Sequence, residues 1–127
     1  MKIVSFKMAK KLWWKKFNLP YDEIIGKYDS DGVYHSQLYY NFTETMDSEE
    51  IIAPTIEQVL EWLRVEKKLF IEISMAFNKY YFEIYCTDNY DETYGNQINR
   101  KSNEIDYDSY EQTVIAGIEY VLVNGLI

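Results

Sequence analysis

Residues 55–86 have the sequence TIEQVLEWLRVEKKLFIEISMAFNKYYFEIYC, which contains the clearest secondary-structure signals of the chain. Its first part predicts a helix over residues 53–68, because Thr55 and Gln58 have the spacing of a capping box at a helix N-terminus. The apolar residues that follow recur every three or four positions and so share one face of that helix: they are Ile56, Val59, Leu60 and Leu63. The stretch therefore begins with an amphipathic helix.

The rest of the stretch predicts a β-hairpin. Apolar and polar residues alternate over residues 69–77 and again over residues 80–86, with Asn78-Lys79 as the turn between them. Alternation of this kind places successive side chains on opposite faces of a strand. One face of the hairpin therefore belongs to the core, and the other carries tyrosines such as Tyr81 and Tyr85.

Helices are also predicted at both ends of the chain. Ser5 can cap a helix over residues 5–17, whose apolar stripe includes Trp13. Ser109 can cap a second helix that runs to about Val123 and ends before a Gly.

Shorter signals lie between the first two helices. Residues 21–28 fit either a short strand or a helical turn, and this choice stays open. Asp29-Ser30-Asp31-Gly32 predicts a turn, because Asp side chains accept bonds from nearby backbone N–H groups and Gly tolerates a positive φ. Residues 33–42 are rich in β-formers and predict a strand. We therefore expect one α+β domain over residues 1–127, with an antiparallel sheet of about four strands and three helices mainly on one face.

The composition limits the class of protein. Of the 127 residues, 17% are aromatic, which argues against intrinsic disorder. Cys86 is the one cysteine, so a disulfide framework is excluded, and a buried thiol in a reducing compartment is expected. The chain shows neither an apolar run of the roughly 18 residues that a membrane helix needs nor a secretory signal, so a cytoplasmic protein without membrane association is predicted.

Charge is spread unevenly along the chain. The formal net charge is −8, yet residues 1–20 hold six lysines and no acid, which leaves −14 on residues 21–127. Phosphates would be repelled by the acidic part, so direct nucleic-acid binding is not expected there, and the exclusion is weaker for residues 1–20. The basic segment either contacts a partner or neutralises the acidic part of its own chain.

Two sets of short segments carry a family resemblance. Those in the middle are Ala53-Pro54-Thr55, Trp62-Leu63-Arg64 and Leu69-Phe70-Ile71-Glu72-Ile73. Those near the ends are Val4-Ser5-Phe6, Ala9-Lys10, Lys16-Phe17-Asn18, Ala116-Gly117-Ile118-Glu119-Tyr120 and Leu126-Ile127. Together they resemble short hypothetical proteins of bacteriophages and integrated prophages, a group without an agreed activity. The resemblance implies a mobile-element origin and a bacterial cytoplasmic setting. Small acidic proteins of that origin include inhibitors of host defence such as anti-CRISPR proteins.

Signals for catalysis or metal binding are weak. Alignment of Gly32 with the invariant glycine of an EF-hand loop puts Lys27 and Leu38 where calcium ligands belong, which favours a plain turn. His35 is the one histidine, and zinc sites and catalytic triads would both have to recruit it. We therefore predict no catalytic residue, no cofactor and no metal ligand.

Residues 87–106 are predicted as a long exposed loop or an edge strand, and they begin an acidic, tyrosine-rich segment. Tyrosine offers rigid contact area with a polar tip, and carboxylates can meet the Lys and Arg of a partner. The predicted partner-binding residues are Tyr85, Asp88, Tyr90, Asp91, Glu92, Tyr94, Glu104, Asp106, Tyr107, Asp108 and Tyr110. Trp14 lies among lysines and is a candidate for a second contact or a dimer interface.

These observations favour a non-enzymatic binding protein. The expected partner is a host protein with a basic surface, and the expected effect is inhibition of a nucleic-acid-binding or defence complex. One alternative is a small metal-dependent phosphodiesterase or nucleotide-processing enzyme that uses the same carboxylates. The other is a homodimer with a structural or scaffolding role.

Overall fold

A computed structural model describes residues 2–36, 49–76, 78–91, 94–100 and 107–127, with the backbone alone at residues 21, 76, 87–91 and 94–100. The chain divides into two compact units, Met1–Gln58 and Val59–Ile127. The expectation of one domain over residues 1–127 stays a prediction.

The α+β class is confirmed. The three α-helices are α1 (Phe6–Trp14), α2 (Ile56–Glu66) and α3 (Tyr110–Val123). The strands of the described residues are β1 (Gly26–Tyr28), β2 (Tyr34–Ser36), β3 (Ile51–Ile52), β4 (Leu69–Ala76), β5 (Lys79–Asp91) and β6 (Tyr94–Arg100). They form two antiparallel sheets of three strands, in the orders β2-β1-β3 and β4-β5-β6.

Helix α1 begins as predicted and ends earlier than predicted. The Ser5 hydroxyl accepts a hydrogen bond from the Met8 amide at 3.2 Å, which caps the helix. At the other end Lys16 has a φ of 65°, and the Phe17 amide donates back to the Leu12 carbonyl at 3.0 Å. This is the Schellman geometry, in which one left-handed residue turns the chain out of the helix. The left-handed Lys16 therefore ends α1.

The first sheet follows the predicted turn. The Asp29 carboxylate accepts bonds from the Asp31 and Val33 amides at 2.9 and 3.0 Å, and Gly32 adopts a φ of 82°. Both possibilities for residues 21–28 occur, because a 3-10 turn at Tyr21–Glu23 precedes β1. Residues 37–42 of the predicted strand lie outside the described residues.

Helix α2 has the predicted capping box. The Thr55 amide donates to the Gln58 side-chain oxygen at 3.0 Å, and the Gln58 amide donates to the Thr55 hydroxyl at 3.1 Å. Val59 and Leu63 on its apolar face are buried. The helical spacing of the apolar residues therefore predicted the core face of α2 correctly.

The second sheet extends the predicted hairpin. Strands β4 and β5 pair from Leu69 opposite Cys86 to Ala76 opposite Lys79, and Asn78 takes the turn with a φ of 65°. Strand β5 continues to Asp91 and then pairs with β6 at the sheet edge. The loop predicted for residues 87–106 is therefore wrong for residues 87–91 and 94–100, which lie on strands. The edge-strand alternative is correct for residues 94–100, whereas residues 87–91 continue the central strand β5.

Helix α3 packs on one face of the second sheet. Gly117 is buried in the helix, and a Cβ atom placed there would lie 2.8 Å from Cγ2 of Ile71 on β4. The neighbouring helix residues Val114, Ile118 and Val121 are buried with it. The glycine lets the helix approach the sheet closely, so the alternate residues of β4 and β5 that include Ile71 and Phe82 form the inner face.

Candidate functional site

The second unit presents aromatic and acidic side chains on the sheet face opposite α3. Directly paired residues of antiparallel strands share a face, and the pairs that alternate with the core pairs are Phe70 with Tyr85, Glu72 with Glu83, and Ser74 with Tyr81. We call these six residues the outer sheet face. Their inner counterparts are the buried residues Leu69, Ile71, Phe82 and Ile84.

The outer sheet face combines an exposed ring with opposed carboxylates. The Phe70 side chain is 45% exposed, although phenylalanine is a typical core residue. Glu72 lies directly opposite Glu83, which in turn pairs in register with Arg100 of β6. The Tyr85 hydroxyl donates a hydrogen bond to the Glu83 carboxylate. The face therefore offers apolar contact area beside two carboxylates.

Four of the predicted partner-binding residues continue this hairpin along the chain. Asp88, Tyr90 and Asp91 lie on β5, and Tyr94 lies on β6 opposite Asp91. The backbone thus places them on adjacent strands of one sheet. Glu92, Glu104 and Asp106 lie outside the described residues.

The last three predicted residues meet at the start of α3. Tyr107 exchanges two backbone hydrogen bonds of 2.9 Å with Tyr80, and its ring lies 6.4 Å from that of Phe82, on the inner side of the sheet. Asp108 forms an exposed ion pair with Lys79. Tyr110 is 58% exposed and makes an edge-to-face contact with Tyr80. Of these three, Tyr110 offers the free aromatic surface, whereas Tyr107 packs against the core.

A shallow groove of about 450 Å³ runs beside this cluster. Its lining residues are Tyr107, Asp108, Gln112, Ile115, Ala116 and Glu119. Two carboxylates and a tyrosine give it the same chemical character as the outer sheet face. It lies on the α3 side of the sheet and is therefore a separate surface.

Helix α1 of the first unit presents two tryptophans to solvent. Trp14 is 80% exposed, and its role as a contact residue stays a prediction. Trp13 is 46% exposed. The predicted place of Trp13 on the core stripe is therefore wrong. The buried residues are Met8, Ala9 and Leu12, so the core-facing side is centred away from the stripe that contains Trp13.

The one histidine forms a pair with a turn residue. The His35 ring lies 2.9 Å from the Asp29 carboxylate, and this hydrogen bond is the main reason that the pKa of Asp29 is lowered. Nearby, burial and then Tyr34 raise the pKa of Tyr28, whose hydroxyl donates to the Val4 carbonyl. Among the described side chains, the structure holds no group of three His, Cys, Asp or Glu residues that could bind a metal ion.

In the part of the chain that the structure describes, the helices are too short or too polar to cross a membrane. No known protein family, curated protein or solved structure matches this chain. The chemical character of the described surfaces is therefore the basis for any proposal on function.

Sequence reasoning found the hairpin faces but left Phe70, Glu72 and Glu83 out of the predicted site. The signal was present, because alternation in both strands places them on the face that carries Tyr81 and Tyr85. The predicted site lies mainly on the acidic segment further along the chain instead. The strand pattern does not indicate which face of the sheet is covered by a helix that is distant in the sequence.

Proposed function

We propose that this chain is a non-enzymatic binding protein that holds a partner protein on the outer sheet face. The observation that carries the proposal is the 45% exposure of Phe70 on a face it shares with Tyr81, Tyr85 and two opposed glutamates. Aromatic residues are enriched at protein interfaces and supply much of the binding energy at hot spots.

The charge of this face selects the partner. Glu72 and Glu83 lie opposite each other on β4 and β5, and two neighbouring carboxylates attract the lysine or arginine side chains of a partner. Arginine also accepts aromatic neighbours and binds carboxylates in a two-point geometry. The partner is therefore a protein with a basic, arginine-rich surface.

A basic surface of that kind is what nucleic-acid-binding proteins present to phosphates. A partner held on carboxylates and tyrosines would have this surface occupied, so the chain would act as an inhibitor of a nucleic-acid-binding or defence complex. The resemblance to phage and prophage proteins supports this role and a bacterial cytoplasmic setting.

The test is capture from bacterial extract with the immobilised chain at about 0.15 M salt, where charges beyond about 8 Å are largely screened. Retained proteins are quantified for the natural chain, for Phe70→Ala and for the double variant Glu72→Lys with Glu83→Lys. We expect at least one basic protein to bind the natural chain, with affinity reduced by about fivefold or more in Phe70→Ala. The double charge reversal should abolish its retention.

The matched control is Asp22→Lys with Glu66→Lys, two exposed acids that are not part of the outer sheet face. It changes the net charge by the same amount and should retain the partner. Equal retention by the charge-reversal variant and its control would refute the proposed contact surface. Far-UV circular dichroism of each variant establishes that it is folded.

A further inference from the structure

The solvent face of α1 carries a tryptophan at its centre. A helix turns about 100° per residue, so Lys7, Lys10 and Trp14 fall within an arc of about 60°. Leu12, the most deeply buried residue of α1, points about 160° away from Trp14. The Trp14 ring, 80% exposed, therefore lies opposite the core and between two lysines.

The segment that carries this ring is basic. Lys7, Lys10 and Lys16 are all exposed, and residues 1–20 contain no acidic residue. The Lys10 amine lies 4.5 Å from the centre of the Phe6 ring, which holds its charge close to the helix. Trp13 adds a second, 46% exposed ring beside Trp14. We call Lys7, Lys10, Trp13, Trp14 and Lys16, which lies two residues beyond the helix, the α1 solvent face. It is an aromatic surface beside three lysines.

We propose that the α1 solvent face binds single-stranded nucleic acid. A base stacks on the Trp14 ring, and the adjoining phosphates contact Lys7, Lys10 and Lys16. Non-specific single-strand sites combine these two elements, because every base has a π-face and the backbone is an even line of negative charge. The proposal is independent of the outer sheet face and does not rest on it.

The same observations disfavour other anionic partners. An interfacial membrane helix buries its apolar face in lipid, whereas the apolar side of α1, with Met8 and Leu12, is already buried in the protein. Lysine is depleted at protein–protein interfaces, and residues 1–20 contain lysine as their only basic residue type. Lysine is, by contrast, a regular phosphate ligand.

The net charge of −8 does not oppose a local contact of this kind. At physiological ionic strength, exposed charges further apart than about 8 Å are largely screened. A short strand on the α1 solvent face therefore responds mainly to the charges within about this distance, which include Lys7, Lys10 and Lys16. The acidic remainder of the chain reduces the approach rate at low salt and limits the length of strand that can bind.

The experiment is a titration of the full chain with a fluorescein-labelled oligothymidine of about twelve nucleotides, followed by anisotropy and by intrinsic tryptophan fluorescence. Trp62 is 8% exposed, so quenching reports mainly on Trp13 and Trp14. We expect saturable binding with quenching. Replacement Trp14→Leu should weaken it by at least about fivefold, the lower limit for loss of one stacked base, and Trp14→Phe should retain most of it.

The lysines are tested by salt dependence. The double variant Lys7→Gln with Lys10→Gln should reduce the slope of log K against log salt concentration by about 1.4, because each single-strand phosphate contact contributes about 0.7. Lys68→Gln on an exposed lysine and Phe70→Leu on an exposed aromatic residue are the matched controls and should bind as the natural chain does. Normal binding by Phe70→Leu also separates this site from the outer sheet face.

Three results would overturn the proposal. The first is no binding of the oligonucleotide at about 50 mM salt. The second is equal binding by Trp14→Leu and the natural chain. The third is binding of a polyglutamate peptide, or of phosphatidylserine vesicles, as tight as that of the oligonucleotide, since either would identify another anionic partner. Circular dichroism establishes that each variant is folded. Replacement of Trp14 should leave the fold intact, because its side chain is 80% exposed.

Discussion

Replacement of Gly117 by alanine tests how closely α3 approaches the sheet. Alanine is a better helix former than glycine by about 1 kcal/mol, so propensity alone predicts a more stable protein. The new Cβ, however, would lie 2.8 Å from Cγ2 of Ile71, well inside the roughly 3.5–4.0 Å at which carbon atoms pack. The two effects have opposite signs, and their magnitudes decide the outcome.

The clash should prevail. Ile71 is 8% exposed and its branched side chain has few alternative rotamers, while Phe82 beside it is 1% exposed. Overpacking of a filled core costs about 1–3 kcal/mol. After the propensity gain is subtracted, we expect Gly117→Ala to lower the free energy of unfolding by about 1 kcal/mol.

The assay is urea unfolding followed by far-UV circular dichroism. The variant Ile71→Leu moves the branch away from Cβ and so removes the clashing methyl, while Ala116→Gly measures helix propensity at the adjacent position. In the Ile71→Leu background, Gly117→Ala should be neutral or stabilising, which corresponds to a coupling of about 1–2 kcal/mol. A Gly117→Ala protein more stable than the natural chain would refute the close approach of α3 to β4.

Two further predictions concern the first unit. Lys16→Gly should raise the free energy of unfolding by about 0.5–1 kcal/mol, because glycine adopts the φ of 65° without steric cost; an unchanged thermal midpoint would contradict the helix end described above. The hydrogen bond with His35 lowers the pKa of Asp29. This bond therefore stabilises the folded state at pH values above the ordinary carboxyl pKa of 3.8, and the stabilisation is lost as the pH falls through the lowered pKa. In His35→Ala the Asp29 carboxyl should titrate closer to its ordinary value by carbon-13 NMR, and an unmoved titration curve would show that the imidazole is not the cause.

The sequence predicted those elements whose causes are local. Capping residues such as Ser5, Thr55 and Ser109 form the expected hydrogen bonds, and strand alternation correctly separated the two faces of the hairpin. A cap needs three or four neighbouring residues, and alternation needs one strand. Such signals survive in the native structure because tertiary contacts do not oppose them.

The errors have non-local causes. Residues 94–100 include Gly95, Asn96 and Asn99, which are poor strand formers, yet they pair with β5, whose backbone groups need partners. Strand β3 has two residues, too few for any periodicity, and it exists because it pairs with β1. Each of these elements depends on a partner that is distant in the sequence.

The candidate surfaces depend on the same distinction. Alternation places Phe70 and Glu72 on one face of β4, but the position of α3 decides that this face is the open one, and Gly117 permits that position. On α1, Met8 and Leu12 are buried on one side of the helix, so Trp14 lies on the other side. In both places a large aromatic side chain is exposed where the core lies on the opposite side of the same element.

The distribution of charge favours different partners for these two aromatic surfaces. Phe70 lies beside carboxylates and Trp14 lies among lysines, so one surface suits a basic protein and the other suits a polyanion. A single net charge of −8 averages over both and describes neither. Since screening limits each contact to the charges within about 8 Å, the variants at Phe70 and Trp14 should affect different ligands. Loss of both activities in either variant alone would show that the two surfaces do not act separately.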